Sequence, residues 1–197
     1  MNKDIIISKY HRNTEWASNL NGNVIIYNKC KDTLRDGEIL IDNNVGRCVH
    51  TYMYHIVNNY DILNDVSIFC QDNPFDHVSN FIEVSNNIST VNKFLCLTYY
   101  LQQSSEIISS IPSQNIKIRD FWYFLFDCEI PVLCDFCVST HFAVDKLTIH
   151  DKSKNFYIKI LNILETRYES PWEIERIMPY IFNPLYKERK FKNSDLC

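Results

Sequence analysis

Apolar residues recur three and four positions apart over residues 43–60, the most regular stretch of the chain. This spacing places them on one face of a helix, and the asparagines at its start can cap free N–H groups. We therefore predict a helix that begins at Asn43 or Asn44 and ends near Tyr60. Its apolar face carries Val45, Cys48, Val49, Tyr52, Met53, Ile56, Val57 and Tyr60, and its polar face carries Arg47, His50, Thr51, Tyr54 and Asn58.

Three short apolar runs, at residues 4–10, 24–27 and 66–70, predict β-strands that each lead into polar residues. The order strand, short link, strand, helix, strand favours parallel pairing. The carboxyl ends of parallel strands meet at one edge of a sheet, where open α/β sheets bind their ligands. We therefore predict an α/β fold with a mainly parallel central sheet flanked by helices, and a ligand site at that edge.

The patterns beyond residue 77 are weaker. An aromatic run at residues 121–126 favours core packing, with a cleft for an acceptor molecule as the alternative. Serine, proline and glutamate at residues 170–173 are typical of the start of a helix. The predicted elements are helices over residues 90–103 and 155–166, a strand over residues 136–144 and a last helix from Ser170.

The chain of 197 residues has a formal net charge of −4 and no basic stripe, so we expect no nucleic-acid partner. No run approaches the roughly 20 apolar residues that a membrane span needs. Residues 1–10 lack the features of a secretory signal. We therefore expect a soluble, cytoplasmic protein without a membrane span, and the sequence leaves its oligomeric state open.

The eight cysteines could form disulfides, but no secretory signal is present. Most of them lie inside apolar runs, where a free thiol behaves as a small hydrophobic side chain: these are Cys48, Cys70, Cys96 and Cys128. Cys134 and Cys137, followed by His141, have the local spacing of zinc ligands. A structural zinc site usually needs a second pair of ligands, and no obvious pair exists, so packing is the favoured role.

The start of the predicted central helix favours the binding of an anion, because free N–H groups lie there at the positive end of the helix dipole. Arg47 adds a full positive charge. Asp72, Asp76 and His77 follow the third strand and offer the oxygen and imidazole ligands that Mg²⁺ or Mn²⁺ takes. Together these groups could hold a diphosphate and its metal ion. The alternative is a structural role, with a tight turn at Asp72 and a cap at Asp76.

The order of these elements, with Asn44-Val45-Gly46 at the helix start, resembles the nucleotide-binding half of GT-A glycosyltransferases. More closely, the run NVGRCVHTYMYHIVNNYDILNDVSIFCQDNPFDH resembles an uncharacterised domain family of fungi, algae and large DNA viruses. Virus-encoded capsid-glycan glycosyltransferases are similar to that family. The segments IIISKY, VIIYNK, THFAVDKLTI, NFYIKILNILE and WEIERIMPYIF extend the resemblance over most of the chain.

This resemblance implies a single GT-A-like domain that moves a sugar from a nucleotide-diphosphate sugar to a glycan or protein-linked glycan. Residues 1–77 would form the nucleotide-binding half, residues 78–185 the acceptor-side half and residues 186–197 a tail. The implied cofactor is Mn²⁺ or Mg²⁺, and the implied partners are the nucleotide sugar and a glycan or glycoprotein acceptor. A viral source would place the protein in the host cytoplasm.

The resemblance also implies roles for single residues. The family carries an Asp-x-Asp metal motif where this chain has Gln71-Asp72-Asn73, so Asp72 would hold the metal ion and Asp76 or His77 would complete its site. The general base would be Glu175, with Asp135 and Glu173 as alternatives. The donor would contact Ser8, Lys9, Tyr10, Asn28, Asn44, Gly46, Arg47, His50 and Gln71.

Two other functions stay open. The protein could be a non-catalytic relative that binds a nucleotide or a sugar, or a metal-dependent phosphoesterase that uses Asp72, Asp76, His77 and His141. Turnover of a nucleotide sugar separates the transferase from the non-catalytic binder. Metal-dependent cleavage of a phosphoester without a sugar donor would indicate the phosphoesterase.

Overall fold

The structure is a computed structural model that describes residues 2–98, 101–104, 107–111, 114–130 and 134–183. The tail predicted at residues 186–197 lies outside these ranges. The described strands form one large sheet and two small ones. In chain order they are β1 (Lys3–Lys9), β2 (Asn23–Asn28), β3 (Ile39–Leu40), β4 (Val66–Gln71), β5 (Phe94–Cys96), β6 (Leu101–Ser104), β7 (Ile107–Ile111), β8 (Gln114–Lys117), β9 (Cys134–Cys137) and β10 (Phe142–Asp145).

The main sheet has six strands in the order β3-β2-β1-β4-β10-β5. Strand β1 pairs in parallel with β2 on one side and with β4 on the other, and β2 pairs in parallel with β3. Strand β10 runs antiparallel to both β4 and β5. The predicted α/β fold is therefore confirmed, but the sheet is mixed because β10 enters it in the opposite direction. Two further antiparallel pairs, β6 with β9 and β7 with β8, lie outside the main sheet.

Helices flank the main sheet, and short 3-10 turns connect several of the strands. The helices of the described ranges include no apolar segment of membrane-spanning length. The helices are α1 (Arg47–Asn59), α2 (Phe81–Asn87), α3 (Arg119–Phe126), α4 (Lys146–His150), α5 (Lys154–Thr166) and α6 (Ser170–Phe182), and the 3-10 turns are Glu15–Asn19, Lys31–Thr33, Pro74–Asp76 and Val138–Thr140.

Strand β1 is buried on both of its faces, which explains its run of three isoleucines. Successive side chains of a strand point to opposite faces of the sheet. Ile6 therefore packs into the larger hydrophobic cluster, which includes residues of α1, α5 and α6. Ile5 and Ile7 pack into the smaller cluster with Phe81 of α2. A strand covered on both faces needs a continuous apolar run, and β1 has one.

The helix predicted over residues 90–103 is wrong, because this stretch contains β5 and β6. Residues 99 and 100 of that prediction lie outside the described ranges. In β5, Phe94 and Cys96 face the larger cluster while Leu95 packs against the smaller one. Pairing with β10 makes β5 a strand of the main sheet, so its side chains contact the hydrophobic clusters on both faces of the sheet. Such tertiary contacts outweigh the local helical spacing.

The strand predicted over residues 136–144 is interrupted. Its first part belongs to β9 and its last part to β10. These two strands lie in different sheets, because β9 pairs with β6 and β10 pairs with β4. Between them, Ser139 and Thr140 have φ angles of 66° and 56° in the left-handed region. This conformation cannot continue a strand, so the chain changes sheets at these two residues.

The two C-terminal helices are confirmed as α5 and α6. The aromatic run at residues 121–126 belongs to α3, where Phe121 and Trp122 are buried but Tyr123 and Phe124 are exposed. Core packing therefore accounts for only part of that run.

Helix α1 begins at Arg47, not at Asn43 or Asn44, and Gly46 is its N-cap residue with a φ of 63°. No side chain caps its first turn. The predicted apolar face is largely buried, but His50 and Thr51 of the predicted polar face are buried as well. His50 faces α5, whereas Thr51 faces β1, where its hydroxyl group hydrogen-bonds to that of Ser8.

The prediction that Cys96 packs as a free thiol is wrong. Cys96 and Cys137 form a disulfide that joins β5 to β9 across 41 positions of sequence. Cys137 is therefore bonded to another cysteine instead of being a zinc ligand. Cys30, Cys48, Cys70 and Cys128 are free thiols.

Three buried histidines should make the protein sensitive to acid. Burial is the main cause that lowers the pKa of these side chains, to about 4 for His50 and His55 and to about 3 for His141. In an unfolded chain a histidine has a pKa of about 6.5. Below that pH the unfolded state binds more protons than the folded state, so the free energy of unfolding falls toward pH 4. Each histidine contributes up to about 1.4 kcal/mol per pH unit.

His141→Phe keeps a ring in the core but cannot take up a proton, so it should reduce this slope by about one proton. Urea unfolding at a series of pH values between 7 and 4.5 measures the slope. His11→Gln, at an exposed histidine, is the control. A slope that stays the same in His141→Phe would contradict the neutral, buried state of His141.

Candidate functional site

A pocket of about 240 Å³ opens at the carboxyl ends of β1 and β4. Strands β2 and β3 lie on one side of β1, and β4, β10 and β5 lie on the other, so the strand order reverses between β1 and β4. Open α/β sheets bind ligands at such a switch point, outside the carboxyl ends of the strands. The pocket therefore lies at the edge that the sequence predicts.

Eight of the described residues line this pocket, and six of them are predicted site residues. The two that the prediction did not include are Lys29 and Cys48. Lys29 directly follows β2, so its place after a predicted strand could have identified it. The sequence places Cys48 on the apolar face of the helix, and helical spacing alone does not show that this residue also lines the pocket. The six predicted residues are Ser8, Tyr10, Asn44, Arg47, Gln71 and Asp72.

Lys9 and Asn28 were predicted to contact the donor, but they are not among the residues that line the pocket. The Nζ atom of Lys9 lies 2.6 Å from Oε1 of Glu38, and both side chains are almost fully buried. The Nδ2 atom of Asn28 donates to Oε2 of Glu38 at 2.8 Å. These contacts fasten the loop before β3 to the strand ends, so both polar groups serve the fold.

Gly46 and His50 are also not lining residues. A Cβ atom on Gly46 would lie 2.7 Å from Cβ of His50 and 3.0 Å from Cβ of Leu164. Gly46 therefore allows α1 to approach α5. His50 is buried, and its Nε2 atom lies 3.3 Å from Oε1 of Glu165. Its ring faces α5, where burial keeps it neutral at pH 7 by lowering its pKa to about 4.

Lys29 is a buried cation at the pocket, with only 6% of its surface exposed. Its Nζ atom donates to the backbone oxygens of Val45 and Arg47, each at 2.6 Å. Burial lowers the pKa of Lys29 to about 8, so the charged form still predominates at pH 7. Lys29 thus fixes the loop before α1 and holds a positive charge beside the pocket.

Arg47 starts α1 in a left-handed conformation, with a φ of 52°. This conformation is uncommon for a residue other than glycine, and such strain often occurs at functional sites. The guanidinium carbon lies 5.1 Å from the ring centroid of Trp172, a cation–π contact that positions the exposed side chain. The uncapped N–H groups at the start of α1 add the positive end of the helix dipole.

Asp72 holds two strand ends together. Its Oδ2 atom accepts hydrogen bonds from the backbone N–H groups of Tyr10 at 2.9 Å and Arg12 at 3.1 Å. Its backbone oxygen accepts a third from Nε1 of Trp16 at 3.1 Å. Asp72 therefore fixes the loop after β1 against the end of β4, which is the structural role that the sequence left open.

The predicted metal ligands do not form a three-ligand group. The carboxylate of Asp76, which is exposed, accepts a 2.7 Å hydrogen bond from Nδ2 of Asn73. In the described ranges, no three His, Cys, Asp or Glu side chains are grouped so as to hold a metal ion. Asp72, Asp76 and His77 therefore do not fit a divalent cation held by three protein ligands.

A chain of hydrogen bonds connects the pocket to Glu175, the predicted base. Nε2 of Gln71 donates to the backbone oxygen of Ser139 at 3.0 Å, and the N–H of Ser139 donates to Oε1 of Glu175 at 2.8 Å. The other oxygen of Glu175 pairs with Arg176 at 2.7 Å. Burial is the main cause that raises the pKa of the Cys48 thiol, and the charge of Glu175 raises it further, so Glu175 lies close to the pocket.

The two alternative bases lie elsewhere. Asp135 is on β9, where its backbone N–H donates to the Tyr180 hydroxyl at 2.9 Å, and it does not line the pocket. Glu173 is fully buried and pairs with Arg167 at 2.6 Å. Burial raises the pKa of Glu173 to about 7. We therefore retain Glu175, because its network reaches a residue of the pocket wall.

Comparisons of the chain with protein-family models, curated proteins and solved structures found no match. The functional interpretation of the pocket is therefore built on its own chemistry. Among the described lining residues, that chemistry consists of two cations, one carboxylate, two amides, two hydroxyl groups, a thiol and an uncapped helix start.

Gly46→Ala should destabilise the protein, because the added Cβ would lie 2.7 Å from Cβ of His50 at a φ of 63°. Overpacking and backbone strain together should lower the free energy of unfolding by about 2–4 kcal/mol. Gly37→Ala is the matched control, since its φ is 82° but no atom lies within 4 Å of its Cβ. That variant should lose only about 1 kcal/mol. Equal losses in urea unfolding would mean that Gly46 is needed for its φ alone.

Proposed function

We propose that this protein is a glycosyltransferase that takes its sugar from a nucleotide-diphosphate sugar and transfers it to a glycan or protein-linked glycan. One observation carries the proposal: the pocket at the switch point of the sheet is lined by two cations, Lys29 and Arg47, and lies beside the uncapped start of α1. Among its described lining residues, Asp72 supplies the one carboxylate. An excess of positive charge at this place suits a diphosphate. The resemblance of residues 44–77 extends the proposal from nucleotide binding to sugar transfer.

The fold belongs to the same proposal, as a GT-A-like arrangement. Parallel strands β1, β2 and β4 carry the donor pocket at their carboxyl ends, and β10 follows them in the opposite direction. The acceptor would approach from the side of the turn Val138–Thr140 and of α6, which lie next to the pocket wall.

The reaction breaks the bond between the anomeric carbon of the sugar and the diphosphate, and it forms a bond from that carbon to an acceptor oxygen. Negative charge develops on the leaving diphosphate, where Lys29, Arg47 and the N–H groups of α1 stabilise it. If the sugar inverts, a base takes the proton of the acceptor hydroxyl. Glu175 has that role in the proposal, because its carboxylate lies at the end of the hydrogen-bond chain from Gln71.

A non-catalytic nucleotide-binding protein is the second candidate. It is favoured by the fact that the carboxylates of Asp72 and Glu175 both accept backbone hydrogen bonds that fasten the fold. A phosphoesterase has less support, because one of its predicted ligands, His141, is fully buried.

Release of nucleoside diphosphate from a panel of nucleotide sugars, with and without glycan acceptors, tests the proposed activity. Thermal shifts with the same donors measure binding separately, since a ligand at a hundredfold excess over its dissociation constant adds about 2.7 kcal/mol to stability. Turnover supports the transferase. Tight binding without turnover of any donor supports the second candidate.

Glu175→Gln tests the role of the base. The glutamine keeps an oxygen to accept from the N–H of Ser139 but cannot take up a proton, so donor affinity should stay constant while turnover falls about 10²–10⁴-fold. Glu173→Gln, on the same helix but paired with Arg167 away from the pocket, is the control and should keep normal turnover. Wild-type turnover in Glu175→Gln would exclude it as the base, and Asp135 would be tested next.

A further inference from the structure

Two buried lysines lie at the carboxyl ends of neighbouring strands, and they differ in their partners. Lys9 ends β1, is 2% exposed and lies 2.6 Å from a carboxylate oxygen of Glu38. Lys29 follows β2 and is 6% exposed, but within the described residues no carboxylate oxygen lies within 4.0 Å of its Nζ atom. A buried charge without a counter-charge is costly. The lysine that the protein itself does not neutralise is the one that lines the pocket.

The ammonium group of Lys29 has one N–H donor that its two hydrogen bonds to the backbone do not use. An ammonium group carries three N–H donors, and two of them go to the backbone oxygens of Val45 and Arg47. The third has no acceptor in the described part of the chain. Burial also lowers the pKa of Lys29 to about 8, and a bound anion would offset this effect by favouring the charged form.

Arg47 adds a second positive charge at the pocket. Its guanidinium group stacks on Trp172 at 5.1 Å, and a stacked guanidinium keeps its N–H donors free at its edge. Asp72 is the only acid among the lining residues that the structure describes, and one of its oxygens already accepts two hydrogen bonds. The pocket is therefore positive overall. Its volume of about 240 Å³ is well above the ~10–15 Å³ that a single water molecule needs, so the pocket can admit a group larger than water.

We propose that Lys29 and Arg47, and not a divalent metal ion, neutralise the diphosphate of the donor, so that this pocket binds diphosphate groups without metal. The inference rests on the proposed function for the identity of the donor, and it assigns the charge of the site to two residues. The inference agrees with the geometry of the metal ligands predicted from the sequence, because these residues do not form a three-ligand group in the described part of the chain. A fixed cation beside the leaving group also needs no rearrangement when charge develops there.

Calorimetric titration with inorganic pyrophosphate and with nucleoside diphosphates, in EDTA and in Mn²⁺, tests this proposal. The wild type should bind in EDTA, and Mn²⁺ should not strengthen the binding. Lys29→Met should weaken it about 10- to 100-fold, the loss expected for a charge-assisted hydrogen bond. Asp72→Asn should bind more tightly, because it removes the negative charge of the pocket. Lys31→Met, at an exposed lysine close in sequence, is the control.

Binding that requires Mn²⁺, falls in Asp72→Asn and survives in Lys29→Met would overturn the inference and leave the proposed function intact. Lys29-dependent binding in EDTA without turnover of any nucleotide sugar would support the inference and contradict the transferase. Absence of binding in both buffers would overturn both. If Lys29→Met does not fold, Arg47→Gln replaces it: weaker binding in EDTA supports the proposal, and unchanged affinity contradicts it.

Discussion

The parallel pairing of β1 with β2 on one side and with β4 on the other determines where the rest of the site lies. In this register Ser8 lies opposite both Tyr27 and Gln71, so three strands reach the same edge at the same level. Adjacent strands are about 4.8 Å apart, so the residues after their ends share one pocket. A 2.8 Å hydrogen bond between the hydroxyl groups of Ser8 and Thr51 then fixes α1 against this edge. The N-terminus of α1 therefore lies beside the strand ends.

The electrostatics of this edge separate residues that serve the fold from residues that are available to a ligand. Glu38 neutralises Lys9, whereas Lys29 keeps its charge at the pocket. A buried cation without a carboxylate partner costs stability, and so does the positive φ of Arg47. Proteins commonly accept such local costs where they bind ligands. Both costs occur at this pocket, which is the physical reason for assigning the function there.

The parts of the fold and of the site that the sequence predicts correctly follow from local patterns of apolar and polar residues. The isoleucine run of β1, the helical spacing of α1 and the polar strand ends together identified most of the pocket wall. The missed features depend on contacts between distant positions. The Cys96–Cys137 bond, the partner of Lys9 and the opposite direction of β10 each require the folded chain. The same limitation applies to α1, because His50 of its predicted polar face is buried against α5, a helix that lies about a hundred residues later.

The central claim is that the pocket between β1 and β4 holds a diphosphate through Lys29. A crystal structure of the wild-type protein grown with a nucleoside diphosphate and Mn²⁺ tests it most directly. The account predicts a phosphate oxygen about 2.7–2.9 Å from Nζ of Lys29, and no anomalous signal of manganese between Asp72 and the phosphates. A nucleotide bound elsewhere, or a manganese ion that bridges Asp72 to the diphosphate while Lys29 makes no contact, would contradict it.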